Sequence, residues 1–135
     1  MADTIKLEIA TPEAMAYSAD VEMVTLPGVE GQLGVLPQHV RFMTQMVPGE
    51  MIIRLNGHDE FMAVGDGLVE VTNERISIAT NMAIACEKID EAAAEDARQR
   101  AAARLREKLS AEEVASVNAS LTRTLAQLHV KRRHH

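Results

Sequence analysis

Few side chains in this sequence combine the residue types and the spacing that chemistry requires. The single cysteine, Cys86, has no histidine nearby in sequence to activate it, so we interpret it as an inert buried thiol. His39 has no cysteine or acidic neighbour at metal-ligand spacing, and His134 and His135 could hold a metal only opportunistically. No glycine-rich phosphate loop of the Walker type occurs. We therefore predict no catalytic residues, no metal site and no cofactor.

The polar residues best suited to recognition lie in the segment 26–39. This segment holds three glycines and two prolines, yet it also holds five large aliphatic residues. Aliphatic side chains need something to pack against, which a flexible linker does not offer. We therefore predict an ordered loop on a rigid scaffold, where recognition residues are common. Its polar candidates are Glu30, Gln32 and His39, whose alternative role is to cap turns.

The composition limits the size of the fold and the class of partner. The 135 residues suffice for one domain with its own core, or for a small domain with an appendage. Aromatic residues make up only 2% of the chain, which argues against stacking on single-stranded nucleic acid. The net charge of −6 opposes binding to a phosphate backbone. We expect no nucleic-acid partner.

The sequence also predicts no direct membrane insertion. No apolar stretch approaches the roughly 20 residues that a membrane helix needs. The first residues lack the basic start and apolar run of a secretion signal. A lone cysteine fits a reducing compartment. We expect a soluble, cytosolic chain.

The charges divide the chain into two parts. Residues 1–87 carry 13 acidic and 4 basic side chains (net −9), whereas residues 88–135 carry 7 acidic and 10 basic side chains (net +3). The basic part could meet an acidic partner, including the first part of the same chain, or it could be a solvated helix surface. We place a domain boundary at 87/88.

Residues 1–87 show the short alternating pattern of β-strands. Residues 5–9 place three aliphatic side chains on one face and two charges on the other, as in a half-buried strand. The dipeptide Asn56-Gly57, which tolerates positive φ, predicts a tight hairpin between two such runs. Many short strands with frequent turn residues favour an antiparallel sandwich or barrel. The predicted strands are 5–9, 21–26, 51–55, 60–64, 68–71, 75–79 and 82–84.

Residues 88–135 contain no glycine or proline and favour helix throughout. Asp90 can cap the first helix, and acidic residues precede basic ones along it, which complements the helix macrodipole. The capping-box spacing of Ser110 and Glu113 predicts a second helix after a break of a residue or two. Its apolar seam predicts an antiparallel helical hairpin. The seam consists of Val114, Val117, Leu121, Leu125 and Leu128.

The expected hairpin has arms of roughly 27–30 Å at 1.5 Å per residue. Its first arm offers mostly alanine, whose burial contributes little, against about 1.5–3 kcal/mol for each fully buried valine or leucine. We interpret it as a hairpin that is well formed but weakly held on the β domain, and so able to detach. A permanently packed hairpin is the alternative.

Five short motifs resemble the epsilon subunit of the rotary F-type ATP synthase. The stretch 30–39 reads EGQLGVLPQH, similar to the family's EGxLGxxPxH, and residues 48–49 match its PG before a strand. Residues 67–71 (GLVEV), 89–92 (IDEA) and 126–128 (AQL) resemble further family motifs. Their order and spacing along the whole chain identify it as a member of this family, of the bacterial type.

This resemblance implies a ten-stranded sandwich of two sheets joined to a two-helix hairpin. It implies a non-catalytic place in the central stalk, bound to the gamma subunit and to the polar loops of the c ring, coupling rotation and proton flow to ATP synthesis. The location would be peripheral, at the cytoplasmic face of the bacterial inner membrane. Residues expected to contact the ring or gamma are Glu30, Gln32, Leu33 and His39.

The family's hairpin can also extend along gamma and restrain ATP hydrolysis. Here a basic cluster could meet an acidic surface on the catalytic alpha and beta subunits, or it could be a solvated face with local ion pairs. The cluster consists of Arg98, Arg100, Arg104, Arg106 and Arg123.

Three departures from the family pattern qualify these expectations. Residues 65–67 read Gly-Asp-Gly where Ser-Gly-Gly is frequent, and Gln32 stands where a second Glu is frequent. Some bacterial members bind ATP through I-D-x-x-R-A, but here Ala93 replaces the arginine and removes a phosphate partner. An ATP-responsive sensor is therefore the alternative function. Its candidate residues are Ile89, Asp90, Arg98, Arg100 and Arg123.

Overall fold

The computed structural model describes residues 3–38 and 41–134. Ten strands come first, followed by a short 3₁₀ turn at Cys86–Lys88 and two helices. In chain order these elements are β1 (Ile5–Ala10), β2 (Met15–Val21), β3 (Met23–Gly28), β4 (Gly31–Val35), β5 (Phe42–Met46), β6 (Gly49–Leu55), β7 (His58–Val64), β8 (Gly67–Val71), β9 (Arg75–Thr80), β10 (Ala83–Ala85), α1 (Glu91–Arg104) and α2 (Ala111–Arg133).

The strands form a β-sandwich that is nearly closed into a barrel. Hydrogen bonding is continuous in the order β10-β7-β6-β3-β5-β8-β9-β1-β2, and β4 pairs with β3 beside this path. Every pairing among the described strands is antiparallel except that of β1 with β9, which is parallel. An ion pair of 2.8 Å between Glu8 and Arg75 joins these two strands. The predicted all-β sandwich followed by two helices is confirmed, with one parallel pairing that the prediction lacked.

The sandwich core is built from alternate residues of each strand. In β1, Ile5, Leu7 and Ile9 are buried and Lys6 is exposed, which is the predicted alternation. Methionines take the place of aromatic residues in this core, because their flexible side chains fill irregular gaps. Met46, Met51 and Met62 all belong to it.

The turn residues of the sequence predicted the β6–β7 hairpin correctly but led us to miss the β3–β4 hairpin. Asn56 and Gly57 have φ of 53° and 79° and connect β6 to β7 as predicted. Residues 26–38 are ordered, but the prediction of a loop was wrong because β3 and β4 form a β-hairpin there, with Leu26 opposite Leu33. Glycine and proline in these strands mimic a loop in sequence. The prediction also lacked β2 and β5.

The helices begin where predicted. The Asp90 carboxylate accepts a hydrogen bond from the Ala93 N–H, and Ser110 and Glu113 form the capping box. The expected arm lengths and the short break were wrong, because α1 ends at Arg104 and residues 105–110 form the connection. At 1.5 Å per residue α1 is about 21 Å long and α2 about 35 Å.

The two helices pack antiparallel, and α2 is the helix that docks on the sandwich. Arg132 near the end of α2 pairs with Glu91 at the start of α1, and Arg104 pairs with Glu113 at the opposite end. Within the predicted seam, Leu128 is buried but Leu125 is 46% exposed, so Leu125 lies outside the contact. A second apolar cluster joins α2 to the sandwich and consists of Ala63, Met82, Cys86, Ile89, Ala126 and Val130.

Candidate functional site

The β3–β4 hairpin presents the predicted polar residues at its tip. Glu30 and Gln32 are exposed, neither side chain makes a hydrogen bond within the described residues, and Leu33 is half-buried. The Val29 N–H donates to the Gln45 carbonyl at 3.1 Å, which braces the tip against β5. His39, the fourth predicted contact, lies outside the described residues. The tip is therefore a rigid and polar projection.

The outer surface of the sheet carries an apolar patch that the sequence analysis did not identify. Met15, Met43 and Leu68, which we call the outer patch, are 55%, 67% and 54% exposed. They line a shallow groove of about 330 Å³ across β5, β8, β9, β1 and β2, with Glu8 and Glu70 at its side. Contiguous exposed apolar surface marks an interaction site in soluble proteins.

A signal for the outer patch was present in the sequence. Strand β8 alternates strictly, with Val69 and Val71 buried and Leu68 and Glu70 exposed. Leu68 is therefore a large apolar residue at an exposed position of the strand, where a polar residue is expected. Met43 occupies an equivalent exposed position on β5, opposite Glu70.

The predicted regulatory residues make contacts within the chain itself. Ile89 is buried, Asp90 caps α1, and Arg98 pairs with Glu95 at 2.5 Å. Arg100 pairs with Asp96, and Arg104 pairs with Glu113. The hydrogen bond from Arg98 lowers the pKa of Glu95, while burial opposes that shift.

These regulatory residues are spread along the hairpin. Asp90 and Arg100 are ten positions apart, which is about 15 Å along a helix. Arg123 lies half-buried on α2, and Arg106 is exposed in the connection. Basic side chains thus line the hairpin in several places.

The remaining sequence predictions concern the cysteine, a metal site and membrane insertion. Cys86 is buried, and its thiol donates to the Val130 carbonyl at 3.9 Å. Within residues 3–38 and 41–134 no three His, Cys, Asp or Glu side chains are placed to hold a metal ion together. In the same residues, neither helix has the length and apolarity that crossing a membrane would take.

A tyrosine–glutamate pair spans the cleft between the two edges of the sheet. The Tyr17 hydroxyl on β2 donates to Glu60 Oε1 on β7 at 3.2 Å. Both residues line a cleft of about 450 Å³ that also reaches β10. Burial, together with the charge and the hydrogen bond of Glu60, raises the pKa of Tyr17 to about 12.

We expect the phenol of Tyr17 to titrate near pH 12 instead of its ordinary 10. The folded state holds this proton more tightly than the unfolded state. Burial first, and then Glu60, therefore favour the fold with a protonated phenol below pH 10, and that contribution is lost as the pH rises from 10 towards 12. Ultraviolet absorption after a rapid pH jump reports this group alone, because the chain has one tyrosine and no tryptophan.

Glu60→Gln should lower the midpoint of this titration, since it removes the charge and weakens the acceptor. Glu70→Gln, at an exposed site, is the matched control and should leave the midpoint unchanged. A wild-type midpoint near 10 would contradict the assignment.

Comparisons with known proteins find similar sequences over nearly the whole chain. Residues 4–86 match the family described as ATP synthase, Delta/Epsilon chain, beta-sandwich domain. The chain is 37% identical over 126 residues to the ATP synthase epsilon chain of Herpetosiphon aurantiacus, covering 93% of each. It is 38% identical over 130 residues to that of Syntrophobacter fumaroxidans, covering 96% of this chain and 97% of the relative.

Solved structures agree at the level of the fold. One similar chain belongs to the cryo-EM structure of the Euglena gracilis mitochondrial ATP synthase, OSCP/F1/c-ring, in rotational state 1. Its TM-score is 0.76 at 21% identity, covering 93% of this chain and 79% of that one. A chain of the Tetrahymena thermophila mitochondrial ATP synthase central stalk and c ring has a TM-score of 0.54 at 16% identity, covering 63% and 69%.

Proposed function

The chain belongs to the ATP synthase epsilon-chain family, and on this premise we propose that it links the gamma subunit to the c ring of a bacterial F-type ATP synthase. It is a non-catalytic subunit of that complex. In this proposal it carries rotation between ring and gamma and so couples proton flow to ATP synthesis. Its place is peripheral, at the cytoplasmic face of the inner membrane.

The outer patch is the observation that carries this proposal. Three large apolar side chains stand in water on an otherwise alternating sheet, and each would gain by burial against a permanent partner. We assign gamma to this patch. The acidic side chain of Glu70 beside the groove favours a partner whose apolar surface is bordered by basic residues, whereas Glu8 is already paired with Arg75.

The polar β3–β4 tip suits the other partner. Glu30 and Gln32 offer hydrogen-bonding groups on a braced hairpin, which matches the polar loops of the c ring. Leu33, beside them, would add apolar contact. In this arrangement the two partners use different surfaces of one rigid β domain.

The hairpin is proposed to restrain ATP hydrolysis when it leaves the sandwich. Ala94 is the buried residue of α1, which packs on α2, whereas α2 itself packs on β6 and β7, so most of the docking falls to α2. The basic cluster on the hairpin would then meet an acidic surface of the catalytic alpha and beta subunits. The ATP-responsive sensor stays a prediction without support from the local ion pairs of Arg98 and Arg100.

Ending the chain after Lys88 tests the division of labour between the two parts. The truncated chain should bind gamma within about threefold of the full chain, or within about 0.7 kcal/mol, because the outer patch lies before the cut. The reassembled enzyme should hydrolyse ATP faster than with the full chain. Gel filtration with gamma and steady-state hydrolysis are the two measurements.

The two measurements separate the parts of the proposal. Unchanged hydrolysis would show that the hairpin does not inhibit this enzyme. Failure of the full chain to bind gamma at micromolar concentration would contradict the stalk proposal itself. Circular dichroism of the truncated chain checks that its sandwich is folded.

A further inference from the structure

A buried carboxylate on β6 contacts the C-terminal end of α2. The side chain of Glu50 is only 6% exposed. One of its oxygens is 3.2 Å from Arg133 Nη1 and the other is 2.5 Å from His134 Nε2. A charge taken out of water is costly unless it is paired and hydrogen-bonded. Here both partners come from the C-terminal end of α2.

An aromatic contact fixes the geometry of this site. The imidazole of His134 stacks on the ring of Phe61 in β7, with the ring centroids 3.6 Å apart and the planes 14° from parallel. This platform orients Nε2 towards Glu50 and limits the freedom of the imidazole. Phe61 and His134 line one surface cleft together with His58, Asp59, Glu60, Cys86, Glu87 and Lys131.

The remaining contacts between α2 and the sandwich lie in the same short stretch. Lys131 Nζ donates to the Cys86 carbonyl at 3.2 Å, and Gln127 Nε2 lies 3.1 Å from the Met82 sulfur. Val130 is fully buried beside them. Among the described residues, the hydrogen bonds and ion pairs from α2 to the sandwich thus begin at Gln127.

Arg132 stands in the same basic stretch but has a different role. Its guanidinium bonds to Glu91 at 2.8 Å and to Glu95 at 3.2 Å, both on α1. It therefore joins the two helices to each other. This difference between adjacent residues provides a matched control.

We propose that Arg133 and His134 form a clasp that holds the hairpin on the sandwich, with Glu50 as its receptor and Phe61 as its platform. Opening the clasp removes the contacts of the helix end with Glu50 and so favours undocking of the hairpin, whose own helices stay paired through Arg132. All residues of the clasp lie within this chain, so the proposal does not depend on the function proposed above. Its test therefore uses the isolated full-length chain.

The native thiol reports on the clasp without any labelling. Cys86 is the single cysteine, and it is buried beneath Ala126 and Val130. When the hairpin undocks, the thiolate of Cys86 can attack an aromatic disulfide reagent. This attack forms a mixed disulfide and releases a coloured aromatic thiolate. The rate of colour release at fixed pH therefore follows the fraction of undocked hairpin.

We expect the double variant Arg133→Ala with His134→Ala to raise this rate by about tenfold or more, or about 1.4 kcal/mol. Glu50→Gln should raise it in the same direction, and combining all three changes should add little, since they remove one interaction. Arg132→Ala should stay within about threefold of the wild-type rate, which is under 1 kcal/mol.

Two outcomes would overturn the clasp. One is a rate in the double variant and in Glu50→Gln that stays within the range of Arg132→Ala. The other is additive effects of Glu50→Gln and the double variant. Thermal unfolding of each variant shows whether the sandwich is intact, so that global unfolding is not mistaken for undocking.

Discussion

Replacing Met43 and Leu68 together by glutamate is expected to weaken binding to gamma by about 30-fold or more, or about 2 kcal/mol. The two side chains are exposed in the free chain, so their loss removes nothing from the core. In the complex, however, the new carboxylates would be buried without partners, which is strongly unfavourable. Isothermal titration of gamma with each chain measures the change.

The control for this pair is Leu125→Glu. Leu125 is also a large exposed apolar residue, but it lies on α2 and away from the outer patch. Its replacement should leave affinity for gamma unchanged. If the double variant bound gamma as tightly as the wild type, the outer patch would not be the gamma surface.

Gly67→Ala should lower the free energy of unfolding by about 2–3 kcal/mol, the upper range for overpacking. A Cβ at this position would stand 2.5 Å from the Ala79 carbonyl oxygen. That oxygen belongs to the backbone of β9, which is held between β8 and β1 and cannot easily move away. Urea unfolding followed by circular dichroism gives the value.

Gly65→Ala is the comparison that isolates the backbone effect. There the new Cβ would meet the Asn81 side-chain oxygen at 1.9 Å, but an exposed side chain can rotate away. We expect a loss below about 1 kcal/mol, within the range of surface changes that relax locally. Equal losses at the two glycines would contradict this explanation.

The sequence predicted the elements whose signals are local. Strand β1, the Asn56-Gly57 turn and the caps at Asp90 and Ser110 depend on neighbouring residues only, and all appear in the structure. Strand β2 was missed because it is a sheet edge with mostly exposed residues, so its alternation is weak.

The candidate site was harder to predict because its signals depend on the register of a strand and on contacts between distant positions. Residue type does not distinguish the exposed Leu68 from the buried Val69, and only the register of the strand separates them. The clasp joins positions 84 residues apart, Glu50 and His134, which no spacing rule connects. Arg98, by contrast, was counted as available to a partner although an acid three positions earlier pairs with it.

The parallel pairing of β1 with β9 affects how the chain folds during synthesis. Strand β1 gains its second neighbour only after β9, about 70 residues later, has been made. Contacts between positions about 70 apart slow folding, whereas the helices that follow form from near neighbours. The buried side chains of β1 therefore lack their β9 neighbour while most of the sandwich is translated, and unpaired strands of this kind are prone to aggregation.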